Sequence, residues 1–171
     1  MIRQYKQLGY EFTGNTYIGN VKDSLKYYKS KIFSPHKGIK IRNSLKNDIP
    51  NILKLEKLSH GADKTSRSRD VTSKQKKSYQ KMLENSIREN AAFLIEKNNV
   101  LIGYLWIALF NKDKTFIGDI AVHPSYWGKG FANILYNQAF QFMVKKGIKS
   151  YMGTSSTKAV MNLADKLNRK V

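Results

Sequence analysis

The stretch from Asp119 to Ala132, DIAVHPSYWGKGFA, limits what this chain can fold into more than any other. It reads as a buried strand, a turn too crowded for side chains, and the first turn of a helix. His123 and Pro124 end the strand, because proline cannot donate to a ladder. Gly128 and Gly130 let backbone N–H groups of successive residues converge on one point. The helix N-terminus adds about half a positive charge there, so the turn suits a phosphate or pyrophosphate. The plainer alternative is a strand-to-helix turn that needs glycine for its backbone angles alone. It is not a Walker loop, because no Gly-Lys-Ser/Thr follows. Nor is it a dinucleotide fingerprint, because Asn133 stands where the third glycine belongs.

Periodicity extends this unit in both directions. Phe131, Ile134, Leu135, Ala139, Phe142 and Met143 mark one face of the helix, with Lys145, Lys146 and Gly147 supplying its terminal charge and cap. Upstream, Ile39 to Arg42 alternates as a short strand, and Asp48-Ile49-Pro50 opens a helix that runs to about Gly61. Tyr79, Met82, Leu83, Ile87 and Ala91 mark a second helical face. Ala92 to Ile95 and Val100 to Leu109 read as strands joined at Asn98-Asn99, and Thr115 to Val122 as the next. Ile148 to Gly153 is a further strand, followed by a last helix with Val160, Leu163 and Leu167 on one face. Neighbouring strands interrupted by helices predict an α/β chain of the α+β kind, its sheet mixed and mostly antiparallel.

Composition narrows the chemistry. At 171 residues the chain is one domain. It has no cysteine, which removes disulfides, zinc ribbons, iron–sulfur clusters and thiol catalysis together. The longest apolar run, Val100 to Phe110, falls short of the roughly 20 residues of a membrane span. We therefore expect no membrane association and a cytoplasmic protein. Lys and Arg total 31 against 12 Asp and Glu, a formal charge of +19. Such a field attracts nucleic acid and small phosphorylated ligands alike. The dense basic stretch from Lys64 to Lys81 carries only Tyr79 as an interleaved aromatic, so no specific nucleic-acid partner is expected.

The segment around Gly130 resembles the acetyl-CoA-binding motif of the GCN5-related N-acetyltransferases, the GNAT superfamily. That motif runs Gln/Arg-x-x-Gly-x-Gly/Ala at a helix start after a strand. Trp127, Gly130 and Ala132 occupy its three defined positions, the first as a departure. The element order from Ile39 to Val171, roughly three-quarters of the chain, is similar to the family's. The resemblance implies a GNAT acyl-CoA N-acyltransferase fold. It also implies acetyl-CoA as co-substrate, no metal, and acetyl transfer to a primary amine, on a small molecule or a peptide, by direct attack. Backbone amides from Trp127 through Gly128, Lys129, Gly130 and Phe131 to Ala132 are implied to hold the pyrophosphate, with Lys129 near it. Ile120, Ala121 and Val122 are implied to align the pantetheine arm like an added strand. The alternatives are a catalytically silent GNAT-fold module that binds CoA or a partner, and a basic nucleic-acid-binding domain.

Asp119 resembles the acidic position that many family members carry beside this motif, and it is the first choice for general base; local pairing is its other reading. Glu96 is a weaker choice; His123 is a further one, though a histidine before proline in this turn reads as facing solvent, and His36 and His60 suggest nothing specific. The family's general acid is commonly a tyrosine late in the last helix, where this chain has Asn168. Tyr126 and Tyr151 are substitutes that read more readily as packed aromatics, and Asn162 sits one residue late for the family's CoA-contacting asparagine.

The family's two closing strands do not follow that helix. Residues 1–38 instead resemble them. Tyr5 to Gly14, YKQLGYEFTG, looks like the helix end and strand entry, and Ser24 to Lys29 like the final strand, with Leu25 and Tyr27 alternating. Tyr5 then matches the general acid. We expect residues 9–33, within this N-terminal segment 1–38, to close the sheet of a core spanning 39–171, beside Ile148 to Thr154. The arrangements that fit are a permuted chain, a homodimer with strand exchange, or a piece of a tandem array. A separately docked N-terminal arm is the remaining reading.

Overall fold

The computed structural model describes residues 15–31, 37–62, 73–111 and 114–155. In chain order these form β1 (Asn15–Asn20), α1 (Val21–Lys29), β2 (Ile39–Asn43), α2 (Ile49–Ala62) and α3 (Ser73–Arg88). Then come β3 (Ala92–Lys97), β4 (Val100–Asn111), β5 (Lys114–Val122), α4 (Phe131–Lys145) and β6 (Ser150–Ser155). The six strands make one sheet in the order β1-β6-β5-β4-β3-β2. Every neighbouring pair is antiparallel except β5 and β6, which run parallel. The expected mixed, mostly antiparallel sheet flanked by helices is what the chain forms.

Local chemistry places the turns as the sequence suggests. Asn98 and Asn99 both take positive φ, 50° and 63°, which suits a two-residue hairpin loop whose twist matches its strands. Gly147 takes φ 73° after α4, and the amide of Ile148 reaches back to the Met143 carbonyl at 2.9 Å, closing that helix end. The last predicted helix lies outside the described residues.

Two hydrophobic layers sandwich the sheet. On one face, Phe93, Ile95, Leu105, Ile107 and Ile117 pack with Leu135, Phe140 and Met143 of α4 and with Val21 and Tyr28 of α1. On the other, Leu94, Tyr104, Trp106 and Phe116 pack with Ile52 and Leu55 of α2 and Leu83 of α3.

The N-terminal segment enters this core directly. β1 runs antiparallel to β6 in the same chain, with Tyr17 opposite Gly153 and Gly19 opposite Tyr151. Each tyrosine ring lies over the facing glycine, so a Cβ on either glycine would meet it. The expectation of a second strand at Ser24 to Lys29 is corrected: those residues belong to α1. The Asn20 side chain accepts from the amides of Lys22 and Asp23, at 2.9 and 3.2 Å, and starts the helix. Val21, Ser24 and Tyr28 then fall on one buried helical face, a spacing that overrides the short alternation of Leu25 and Tyr27. Tyr28 stacks on Tyr136 at 4.6 Å and on Phe140 at 5.5 Å, fastening α1 to α4.

On the far edge, Arg42 ties three elements together. It donates to both oxygens of Asp48, at 2.7 and 2.8 Å, and to Glu96 at 2.9 Å. The hydrogen bonds to Arg42 hold the Asp48 carboxyl below its ordinary value, against the opposing effect of burial. A carboxyl depressed in this way stabilises the fold above about pH 4 and stops doing so as pH falls through its lower folded value. Arg42→Met should therefore cost about 1–3 kcal/mol in urea unfolding at pH 7, with the difference shrinking on acidification below about pH 4.

Candidate functional site

The site begins with an irregularity in β5. Trp106 pairs with Asp119 while Ile107 pairs with Ile117, so Gly118 is one extra residue in the strand. A bulge of this kind re-aims the side chains that follow it. Phe116 faces the α2/α3 layer and Ile117 the opposite one; after Gly118, Asp119 and Ala121 again share the α2/α3 face. The Trp106 ring covers Gly118 where a Cβ would stand. Asp119 is thereby aimed at Tyr104, which donates to its Oδ2 at 2.6 Å, and at Tyr79 of α3, which donates to the same atom at 2.9 Å. The Trp106 indole in turn donates to the Tyr79 hydroxyl at 3.1 Å. The Asp119 Oδ1 accepts from the Ile120 amide at 2.8 Å and lies 3.6 Å from His60 Nε2.

From α2, Glu56 and His60 project one helical turn apart toward Asp119, and ligating atoms of the three residues lie within 4.8 Å of one another. Their electrostatics diverge. Burial, then the charge of Asp119, pushes the Glu56 carboxyl up to about 7, against the pull of His60. Burial acts on Asp119 in the same direction, but His60, Tyr104 and Tyr79 outweigh it and hold that carboxyl below its ordinary value. Burial and the Asp119 charge push both phenols well above theirs, so Tyr79 and Tyr104 are neutral donors. Asp119 accepts from two phenols and a backbone amide and faces His60, which leaves its oxygens little capacity to grip a metal ion.

Asp119 also stands where the sheet opens. β5 and β6 pair only from Lys114 to Phe116 opposite Ser150 to Met152; beyond that β6 continues against β1 alone. From Ile117 to Val122, β5 has β4 on one edge and no strand on the other among the described residues. At the end of this opening lies the glycine turn. Gly128 and Gly130 take φ 73° and 83°, and Gly130 precedes α4 directly. Among the described residues, the amides of Gly128, Gly130 and Ala132 have no backbone acceptor. A Cβ on either glycine would meet nothing within 4 Å, so the turn fronts open space.

The acetyltransferase (GNAT) family model matches residues 53–168. The chain belongs to that family. Solved structures agree on the fold. An N-acetyltransferase from Staphylococcus aureus aligns at TM-score 0.58 with 21% identity over 76% of this chain and 82% of its own. The Escherichia coli ribosomal-protein-S18-alanine N-acetyltransferase aligns at 0.57 with 18% identity over 75% and 76%. The N-acetylglutamate synthase from Neisseria gonorrhoeae, complexed with coenzyme A and N-acetyl-glutamate, aligns at 0.56 with 23% identity over 78% of this chain and 28% of its own. No curated protein sequence matches.

The residues chosen from sequence fall into three groups in this GNAT chain. Asp119, Ile120, Ala121 and Val122 line the opening, and Trp127 to Ala132 form the turn at its end. Two of them are already engaged in ways the sequence did not suggest: the Trp127 indole donates to the Val122 carbonyl at 2.6 Å, and Lys129 Nζ donates to the Ser125 carbonyl at 2.9 Å. Glu96 is held by Arg42, His123 accepts from the Ser125 amide at 3.3 Å, and Tyr151 is buried with its hydroxyl 2.8 Å from Ser24 Oγ. Tyr5, His36, Asn162 and Asn168 lie outside the described residues. Sequence reading missed Glu56, His60, Tyr79 and Tyr104 as site residues. The only signal available was the i, i+4 spacing of a carboxylate and an imidazole on one predicted helix.

Removing a phenol tests this network. Tyr104→Phe should lower stability by about 1–3 kcal/mol in urea unfolding at pH 7. Asp119, depressed in the folded state, contributes stability above about pH 4 and loses it as pH falls through its folded value. With one donor gone that acid loss should begin at higher pH, which a pH series of unfolding midpoints measures.

Proposed function

We propose that this GNAT protein transfers an acetyl group from acetyl-CoA to a primary amine, on a small molecule or a peptide, by direct attack on the thioester. The observation that carries the reading is the parting of β5 from β6 after Phe116, with Asp119 midway along the opening and the glycine turn at its end. A pantetheine arm laid along β5 past Ile120 and Ala121 adds to the sheet as a strand does. Its pyrophosphate then rests on the turn, where the amides of Gly128, Gly130, Phe131 and Ala132 and the dipole of the 15-residue helix α4 favour negative charge. Binding there requires the Trp127 indole to leave the Val122 carbonyl or the arm to pass beside it. Asp119 places a fixed negative charge next to the thioester, suited to a cationic acceptor. The coenzyme A in the Neisseria synthase complex supports the co-substrate.

In this reading residues 1–38 complete the sheet of the 39–171 core, and Tyr5 is the sequence-based choice for the group that protonates the departing thiolate. No helix among the described residues is long and apolar enough to cross a membrane.

Thiol release from acetyl-CoA, measured with an alanyl peptide, glutamate, spermidine and kanamycin, tests the reaction; release with at least one amine is expected. Tight acetyl-CoA binding without release to any of them would instead mark a CoA-binding module. The turn is tested separately by calorimetry. Gly130→Val should weaken acetyl-CoA binding at least tenfold while the far-ultraviolet spectrum is kept. Gly130→Asn, whose residue tolerates positive φ but still projects a side chain, separates blockade from backbone strain. Unchanged affinity in both would place the pyrophosphate elsewhere.

A further inference from the structure

We infer that Glu56, rather than Asp119, takes the proton from the acceptor ammonium, with His60 passing it to water and Asp119 serving as the fixed anion of the site. The inference rests on the N-acetyltransferase reading above and assigns the proton route within it.

Geometry separates the two carboxylates. A carboxylate offers about four acceptor positions. On Asp119 three are taken, by Tyr79 and Tyr104 on Oδ2 and by the Ile120 amide on Oδ1, and His60 Nε2 stands 3.6 Å from Oδ1. A proton arriving there would compete with those donors and stand against His60 beside Oδ1. Glu56 accepts no hydrogen bond among the described residues and is half-buried beside the same cluster. Its lone pairs are open to an ammonium. Among the described residues the groups facing it are Asp119 from β5, His60 from its own helix, Tyr79 from α3 and Tyr104 from β4. Of these only Asp119 is anionic at neutral pH, and it pushes Glu56 toward the protonated form. Burial adds to this, bringing the carboxyl to about 7, where a general base works best at physiological pH.

The route outward is also built. Exposure rises from Asp119, with 15% of its side chain accessible, through half-buried Glu56 to His60 at 47%. A proton on Glu56 is one helical turn from an imidazole that reaches solvent. The step balances without a further reactant. The acceptor R–NH3+ gives one proton to the Glu56 carboxylate, and the neutral nitrogen forms the C–N bond to the acetyl carbon. The C–S bond breaks, the thiolate takes the second proton and leaves as CoA thiol, and the amide keeps the third. The first proton passes from Glu56 through His60 to water, so one proton is released per turnover.

Two readouts on the full chain test this. The first follows the carboxyl carbons of glutamate-labelled protein by NMR from pH 4 to 9, with Glu56→Gln identifying the resonance. A Glu56 carboxyl that titrates near 7 is expected; one that titrates in the ordinary carboxylate range overturns the inference whatever the activity. The second compares kcat/KM against pH in the thiol-release assay for wild type, Glu56→Gln and Glu56→Asp. The expected result is a loss of about 100-fold or more in Glu56→Gln, with disappearance of the limb that rises through about pH 7, and partial recovery in Glu56→Asp. The calorimetric affinity for acetyl-CoA should stay within twofold. An active Glu56→Gln with the wild-type pH profile sinks the inference and leaves the N-acetyltransferase reading standing. A wild type that releases no thiol with any of the four amines overturns that reading and the inference with it.

Discussion

The contact between the Trp106 ring and Gly118 is the constraint from which the site follows. A residue with a side chain at 118 would collide with the indole, and only with glycine can β5 carry its extra residue under the ring. The bulge then rotates Asp119 out of the layer shared by α1 and α4 and into the layer shared by α2 and α3. Trp106 completes the arrangement by donating to Tyr79, one of the two phenols that grip Asp119. One packing contact thus sets the strand's register, the face of the carboxylate and the position of its donor.

A second consequence is the division of labour between two nearby acids. In a medium that disfavours charge, two adjacent carboxyls cannot both ionise freely, and hydrogen bonding decides which one does. Three donors and the nearby His60 keep Asp119 charged, and burial, with that charge, pushes Glu56 toward its neutral form. Both phenols stay protonated and donate to Asp119, since burial beside that charge makes their own ionisation unfavourable.

Sequence and structure agree where local rules decide the outcome. The glycine turn, the face of α4 and the Asn98-Asn99 hairpin were legible because turn chemistry and a period of 3.6 act over a few residues. β1 lies within the N-terminal stretch expected beside Ile148 to Thr154 and pairs with β6, but its bounds at Asn15–Asn20 were not legible. The helix at Val21 was not, because two alternating residues, Leu25 and Tyr27, looked like a strand while the cap that decides the matter sits one residue before the helix at Asn20. Glu56 and His60 escaped for a different reason. Their spacing is visible, but what they face depends on the Gly118 bulge, and a single glycine within a strand does not announce which residue across the sheet overlies it. The role of Trp127 was hidden in the same way, since its indole reaches a carbonyl five residues back.

The seating of β1 and α1 also has a consequence for how the protein is made. Residues 15–29 leave the ribosome well before their partners, Tyr136, Phe140 and the strand from Ser150 to Ser155; the hydrogen bond between Ser24 and Tyr151 alone spans 127 positions. Closing contacts so distant in sequence is slow, because the loop entropy is lost before the contacts form. Throughout that interval residues 15–29 wait without their partners, and β6, when it appears, presents an unpaired edge until they pair with it. The closing of this edge cannot precede the synthesis of β6, and until it closes that edge is open to association with neighbouring chains.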